Sequence, residues 1–241
     1  MKPIERYTFN TIAVDRYRLE NGLTILHQPE MRSPVFSYQT WFRVGSRHDQ
    51  PGKTGLAHFF EHLMFKGTAA MPEGELDRVI EEQGGRINAS TWLDWTCYEV
   101  DAPSALFEDV VRYESDRMSG LELTQAKLDN EREVVLNERR ERVEDDADGL
   151  LVETLWEKAF GAHPYGRPTI GYEADIKALA MDDFRRFYAA RYAPDQAVIV
   201  VSGAIETSRL TDAITASYGH FEQGRGNVVP AASPILIPNR T

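Results

Sequence analysis

Wound into an α-helix, residues 56 to 65, Leu-Ala-His-Phe-Phe-Glu-His-Leu-Met-Phe, divide between two faces. Leu56, Phe59, Phe60, Leu63 and Met64 occupy the i, i+3, i+4, i+7, i+8 stripe of a helix that lies on a core. His58 and His62 project from the opposite face one turn apart, close enough to clamp a single ion, with Glu61 beside them. The chain must therefore cover one side of this helix and offer the other to solvent or to a metal. Two imidazoles alone leave both outcomes open, because a catalytic zinc site needs a third protein ligand and an open position for water.

A third ligand is available on a second helix. Thr124 is a suitable N-cap for a helix running to about Glu144, and on it Glu131 and Glu138 lie seven residues apart, within about 20° of each other around the axis. Leu128, Val134 and Val135 fall on the same side, so both carboxylates sit among aliphatic groups. Burying an ionised carboxylate without a partner is costly, and a metal is one way to offset that cost. A surface ion pair of Glu138 with Arg142 at i+4 is the competing reading.

The rest of the chain alternates short strands with helices. The Asn21-Gly22 turn splits Tyr17–Gln28 into a hairpin, and Val35–Val44 reads as a further strand. Helices are predicted at Glu73–Glu82, Ala105–Met118, Leu150–Phe160, Met181–Tyr192 and Ser208–Tyr218. Arg86–Thr91, Trp95–Val100 and Val198–Val201 are strand-like. These patterns predict an α+β fold, a mixed, largely antiparallel sheet covered by helices. Residues 1–223 form the expected domain, and 224–241, with Pro230, Pro234 and Pro238, have linker composition.

Composition narrows the function classes. Of 241 residues, 42% are hydrophobic and 27% charged, enough for a real core. A net charge of -11 offers no basic field for nucleic acid. One cysteine, Cys97, rules out an intrachain disulfide and reads as a core residue. No stretch reaches the ~20 apolar residues of a membrane span, and Met1–Asn10 has no apolar signal region, which favours a soluble, cytoplasmic protein. His27, His48, His163 and His220 have no partner at metal spacing.

His58-Phe59-Phe60-Glu61-His62, with Leu63-Met64-Phe65-Lys66-Gly67-Thr68 after it, resembles the zinc helix of the inverzincins, the family of pitrilysin, insulin-degrading enzyme and mitochondrial processing peptidase. Asn130–Glu138 resembles that family's second motif, whose final glutamate, here Glu138, lies 76 residues beyond His62. Asn21-Gly22-Leu23, Gly45-Ser46-Arg47, Gly84-Gly85, Asn88-Ala89 and the Tyr192–Gly203 passage match the family's amino-terminal half in order. The resemblance implies zinc held by His58, His62 and Glu138, with Glu61 as general base. It implies Glu131 as an outer-shell support and Asn88 and Ala89 on an edge strand that pairs with extended peptide. Its relatives also close this half with a second domain that grips substrate, so a second homologous domain, a partner subunit or self-association is expected. The implied activity is zinc-dependent endopeptidase. A non-catalytic assembly subunit, or a module that captures substrate without cutting, is the alternative.

Overall fold

The computed structural model describes residues 1–222. Among them β1 (Glu5–Phe9), β2 (Ile12–Arg18), β3 (Thr24–Pro29), β4 (Val35–Phe42), β5 (Arg86–Thr91), β6 (Thr96–Pro103) and β7 (Ala197–Gly203) form one sheet, ordered β1-β2-β3-β7-β4-β6-β5. All neighbours are antiparallel except β3 and β7, which run parallel. The helices are α1 (Leu56–Leu63), α2 (Glu75–Glu82), α3 (Phe107–Gly120), α4 (Gln125–Arg139), α5 (Ala147–Phe160), α6 (Glu173–Ala178), α7 (Met181–Arg191) and α8 (Thr207–Tyr218). This is the α+β architecture the sequence predicts. In β4, Phe36, Tyr38, Thr40 and Phe42 are buried while the alternate residues are not fully covered, so one face of the sheet carries the main core. Helices α1 and α3 pack on that core against β6.

The position of α1 is fixed at both faces. Phe59 meets Phe184 with ring centroids 4.8 Å apart, and Phe60 meets Tyr192 at 4.6 Å, which anchors the apolar stripe to α7 and the segment after it. At the amino end, the Asp49 carboxylate accepts the N–H groups of Gly55 at 2.9 Å and Ala57 at 3.1 Å, satisfying donors that a helix start leaves free. Gly55 itself has φ +84°, and a Cβ there would lie 2.5 Å from the Ile170 carbonyl oxygen, so only glycine fits.

Helix α4 is laid across α1 with Leu128 and Val135 fully buried. Thr124 caps it as predicted, accepting the Lys127 N–H at 3.3 Å. Arg132 donates to the Leu179 carbonyl at 2.8 Å, tying α4 to the end of α6.

Four sequence readings are corrected. The helix predicted to reach Glu144 is regular only to Arg139. Residues Arg140–Glu144 form a wider turn in which the Asp145 N–H reaches the Arg140 carbonyl at 2.8 Å. Helix α5 starts at Ala147 rather than Leu150, because the Asp146 carboxylate accepts the Gly149 N–H at 3.0 Å. Val134, placed by helical angle among buried aliphatics, is exposed. Strand β1 and helix α6 add elements that periodicity does not mark. The linker-like 224–241 lie outside the described residues. No helix of the described residues is long and apolar enough to cross a membrane.

Candidate active site

The crossing of α1 by α4 brings together residues that are 76 positions apart in sequence. His58, His62 and Glu138 each present one ligand atom, all within 4.8 Å of one another. Glu138 Oε2 lies 3.2 Å from His62 Nε2 and 3.6 Å from His58 Nε2. It nevertheless makes no well-directed hydrogen bond and is shielded from solvent. A buried carboxylate oxygen set between two imidazoles without a well-directed donor is a place where a cation would offset the cost of burial. Tetrahedral zinc with bonds of ~2.0–2.1 Å places its donors ~3.3 Å apart, which the two separations from Glu138 approach. The other oxygen, Oε1, pairs with Arg142 at 2.9 Å. The expected i+4 ion pair is thus made through Oε1, while Oε2 faces the two histidines.

Burial sets the protonation of this cluster. His58 is 9% exposed, and loss of solvation pushes its pKa down to about 4, leaving the neutral imidazole that a metal requires. Burial also opposes the charge on His62, but the Glu131 hydrogen bond and the nearby Glu131 and Glu138 charges outweigh it and hold its pKa up at about 9. Against burial, His62 and Lys66 hold Glu131, and His62, His58 and Arg142 hold Glu138, below the ordinary carboxylate range. Glu61, also 9% exposed, is raised by burial, the direction that suits a proton acceptor working near neutral pH.

Glu131 lies behind His62 and is 4% exposed. Its Oε1 accepts from His62 Nδ1 at 2.9 Å and its Oε2 pairs with Lys66 Nζ at 2.6 Å. That is the carboxylate–histidine arrangement that orients a ligand ring. His58 Nδ1, by contrast, has no partner among the described residues.

Strand β5 closes the other side as the last strand of the sheet, paired on one flank with β6, Asn88 opposite Glu99 and Ala89 opposite Tyr98. Asn88 is exposed and Ala89 half-buried. With His58, Glu61, His62 and Glu138 they line an open cleft of about 580 Å³. The unpaired flank of an edge strand is a template for an added strand.

Two contributors are absent from the sequence reading. The Thr91 hydroxyl donates to Glu61 Oε2, and Lys66 fixes Glu131. The period-2 alternation of β5 signals the first, since Ala89 and Thr91 share the face turned from solvent. Lys66 lies beyond the end of α1, and no local pattern marks it. The bypassed residues stay apart from the cluster: Cys97 is buried, which pushes its thiol up to about 12, and His163 accepts the Tyr165 N–H at 3.2 Å.

The family described as Insulinase (Peptidase family M16) matches residues 27–173. A zinc protease of Helicobacter pylori named PqqE is 33% identical over 205 residues, covering 85% of this chain and 46% of that protein. A probable mitochondrial-processing peptidase subunit beta of Arabidopsis thaliana is 26% identical, covering 81% of this chain and 37% of that one. The crystal structure of a protease from Helicobacter pylori superposes with a TM-score of 0.87 at 29% identity, over 91% of this chain and 53% of that chain. The chain spans about half the length of the curated relatives it matches.

Proposed function

The chain belongs to the insulinase family of peptidases, family M16, and from that membership we propose that it is the zinc-binding half of an endopeptidase acting on extended peptides. The observation that carries this reading is the meeting of His58, His62 and Glu138 around one point, with Glu61 beside them and a free strand edge alongside. Zinc held by three protein ligands supplies a Lewis acid that acidifies water toward neutral pH and polarises a carbonyl. The protein's residues do the remainder. Glu61, held by Thr91 through Oε2, keeps Oε1 free of hydrogen bonds among the described residues to take a proton from water and return it to the leaving amine. Glu131 and Lys66 hold the His62 ring in place. Asn88 and Ala89 offer main-chain bonds to the peptide, which aligns it with little demand on its sequence.

The presence of all four residues favours an enzyme over a non-catalytic assembly subunit, and peptide cleavage separates the enzyme from a capture module. The deciding experiment is cleavage of a quenched peptide by the zinc-loaded chain, alone and with a second-half protein, against Glu61→Gln. Cutting that is lost in Glu61→Gln while zinc remains supports the enzyme. Equal rates in both, or zinc lost with activity, refutes the role given to Glu61.

A further inference from the structure

Among the described residues that line the metal cleft, Arg142 is the one lysine or arginine. Its side chain is 73% exposed, yet its guanidinium stands 2.9 Å from Glu138 Oε1 while Glu138 Oε2 faces the two histidines. One carboxylate thus divides its oxygens between an arginine and the candidate ligand cluster. So exposed an ion pair adds little to folding, and its consequence lies in the ligand it touches. The backbone that carries Arg142 is held on both sides. Helix α4 keeps its regular form to Arg139, whose buried guanidinium pairs with Glu153 at 2.9 Å and donates to the Gly171 carbonyl at 2.7 Å. The wide turn Arg140–Glu144 follows, of a kind frequent at functional sites. Helix α5 packs directly on that turn: a Cβ at Gly149 would lie 1.9 Å from the Arg142 carbonyl oxygen, so the Arg142 peptide has no space to shift toward α5. The side chain alone is left free to move, and the carboxylate it meets is that of Glu138.

We infer that Arg142 is a positioning residue for the metal: by holding Oε1 of Glu138, it presents that ligand to the ion through Oε2 alone. The inference rests on the zinc reading of the site. A carboxylate can bind a metal through one oxygen or through both. Binding through both would fill a position at the ion that a catalytic zinc keeps open for water. Arg142 opposes that by giving Oε1 a positive partner on the side away from His58 and His62, at the fixed separation the packed turn allows. Its charge, rather than any contact with substrate, is what the role requires.

The test is cobalt substitution of the purified chain, read by visible absorption, because four-coordinate cobalt absorbs more strongly than five-coordinate cobalt. The wild type should give the strong bands of four-coordination, and so should Arg142→Lys, which keeps a cation within reach of Oε1. Arg142→Met keeps the length of the side chain without its charge. It should give the weaker bands of five-coordination and bind zinc about tenfold more weakly in competition with a chelating dye, while the urea midpoint of the metal-free protein stays at the wild-type value. An Arg142→Met spectrum equal to that of the wild type, a spectral change that Arg142→Lys shares, or a change accompanied by a fallen urea midpoint would each overturn the role of Arg142 and leave the metal site standing. Cobalt taken up by none of the three proteins would overturn the metal site itself, and the role with it.

Discussion

At the scale of single residues, Glu61, Glu131 and Thr91 each carry a separate prediction. Glu61→Gln removes a base but no ligand, so zinc should stay bound while turnover falls by about 10²–10⁴-fold; elemental analysis beside a peptide assay reads both. Glu131→Gln weakens the hold on the His62 ring and should lower zinc affinity or activity by about 10- to 100-fold, measured by competition with a chelating dye. Wild-type behaviour would reduce Glu131 to a buried ion-pair partner of Lys66. Thr91→Val frees the Glu61 carboxylate to rotate, so kcat should fall about tenfold with KM and zinc content little changed. Of these residues, His58, Glu61, His62, Glu131 and Glu138 could be picked out in the sequence from helical spacing together with the resemblance of the two motifs. Thr91 is marked only by the alternation of β5 and Lys66 by no local pattern, since each reaches the cluster through tertiary packing.

At the scale of elements, long periodic segments were readable and short or solvent-bathed ones were not. Helices α1 and α4 each set an apolar stripe apart from a polar one, so their pattern survives without knowledge of the fold, although α1 has no exposed residue. Every residue of β1 is exposed, leaving it no alternation, and α6 buries only Ile176. The wide turn at Arg140–Glu144 is set by how α5 packs back on α4, where a Cβ at Gly149 would lie 1.9 Å from the Arg142 carbonyl oxygen. The start of α1 makes a sharper prediction. Asp49→Ala leaves the Gly55 and Ala57 N–H groups unpaired and buried, and should destabilise the fold by about 1–3 kcal/mol in denaturant unfolding. A second concerns acid. Burial depresses His27 and lowers His48 to about 4 from its ordinary 6.5, so below pH 6.5 the unfolded chain binds protons that the folded chain refuses. The contribution of these two histidines is then full above pH 6.5 and falls as pH drops toward 4. Between those values the fall in the urea midpoint should be shallower in His48→Gln than in the wild type.

At the scale of the whole molecule, the cleft has one wall. Helix α5 carries exposed Leu150, Leu151 and Leu155, and β5 leaves an edge unpaired among the described residues, beside the cleft that holds the candidate ligands. Apolar surface and a free edge together favour a covering partner, whether a second domain, a partner subunit or another copy. Sedimentation should show self-association or binding to a second-half domain, and peptide turnover should be far higher in the closed pair, because the opposite wall positions the peptide over the cleft. All of this depends on the metal. The most direct test is the zinc content of the purified chain after metal loading and mild dialysis, wild type against His58→Ala with His62→Ala. About one zinc per chain in the wild type, and close to none in the double variant, is the result predicted. Zinc content unchanged by the double substitution would contradict the assignment.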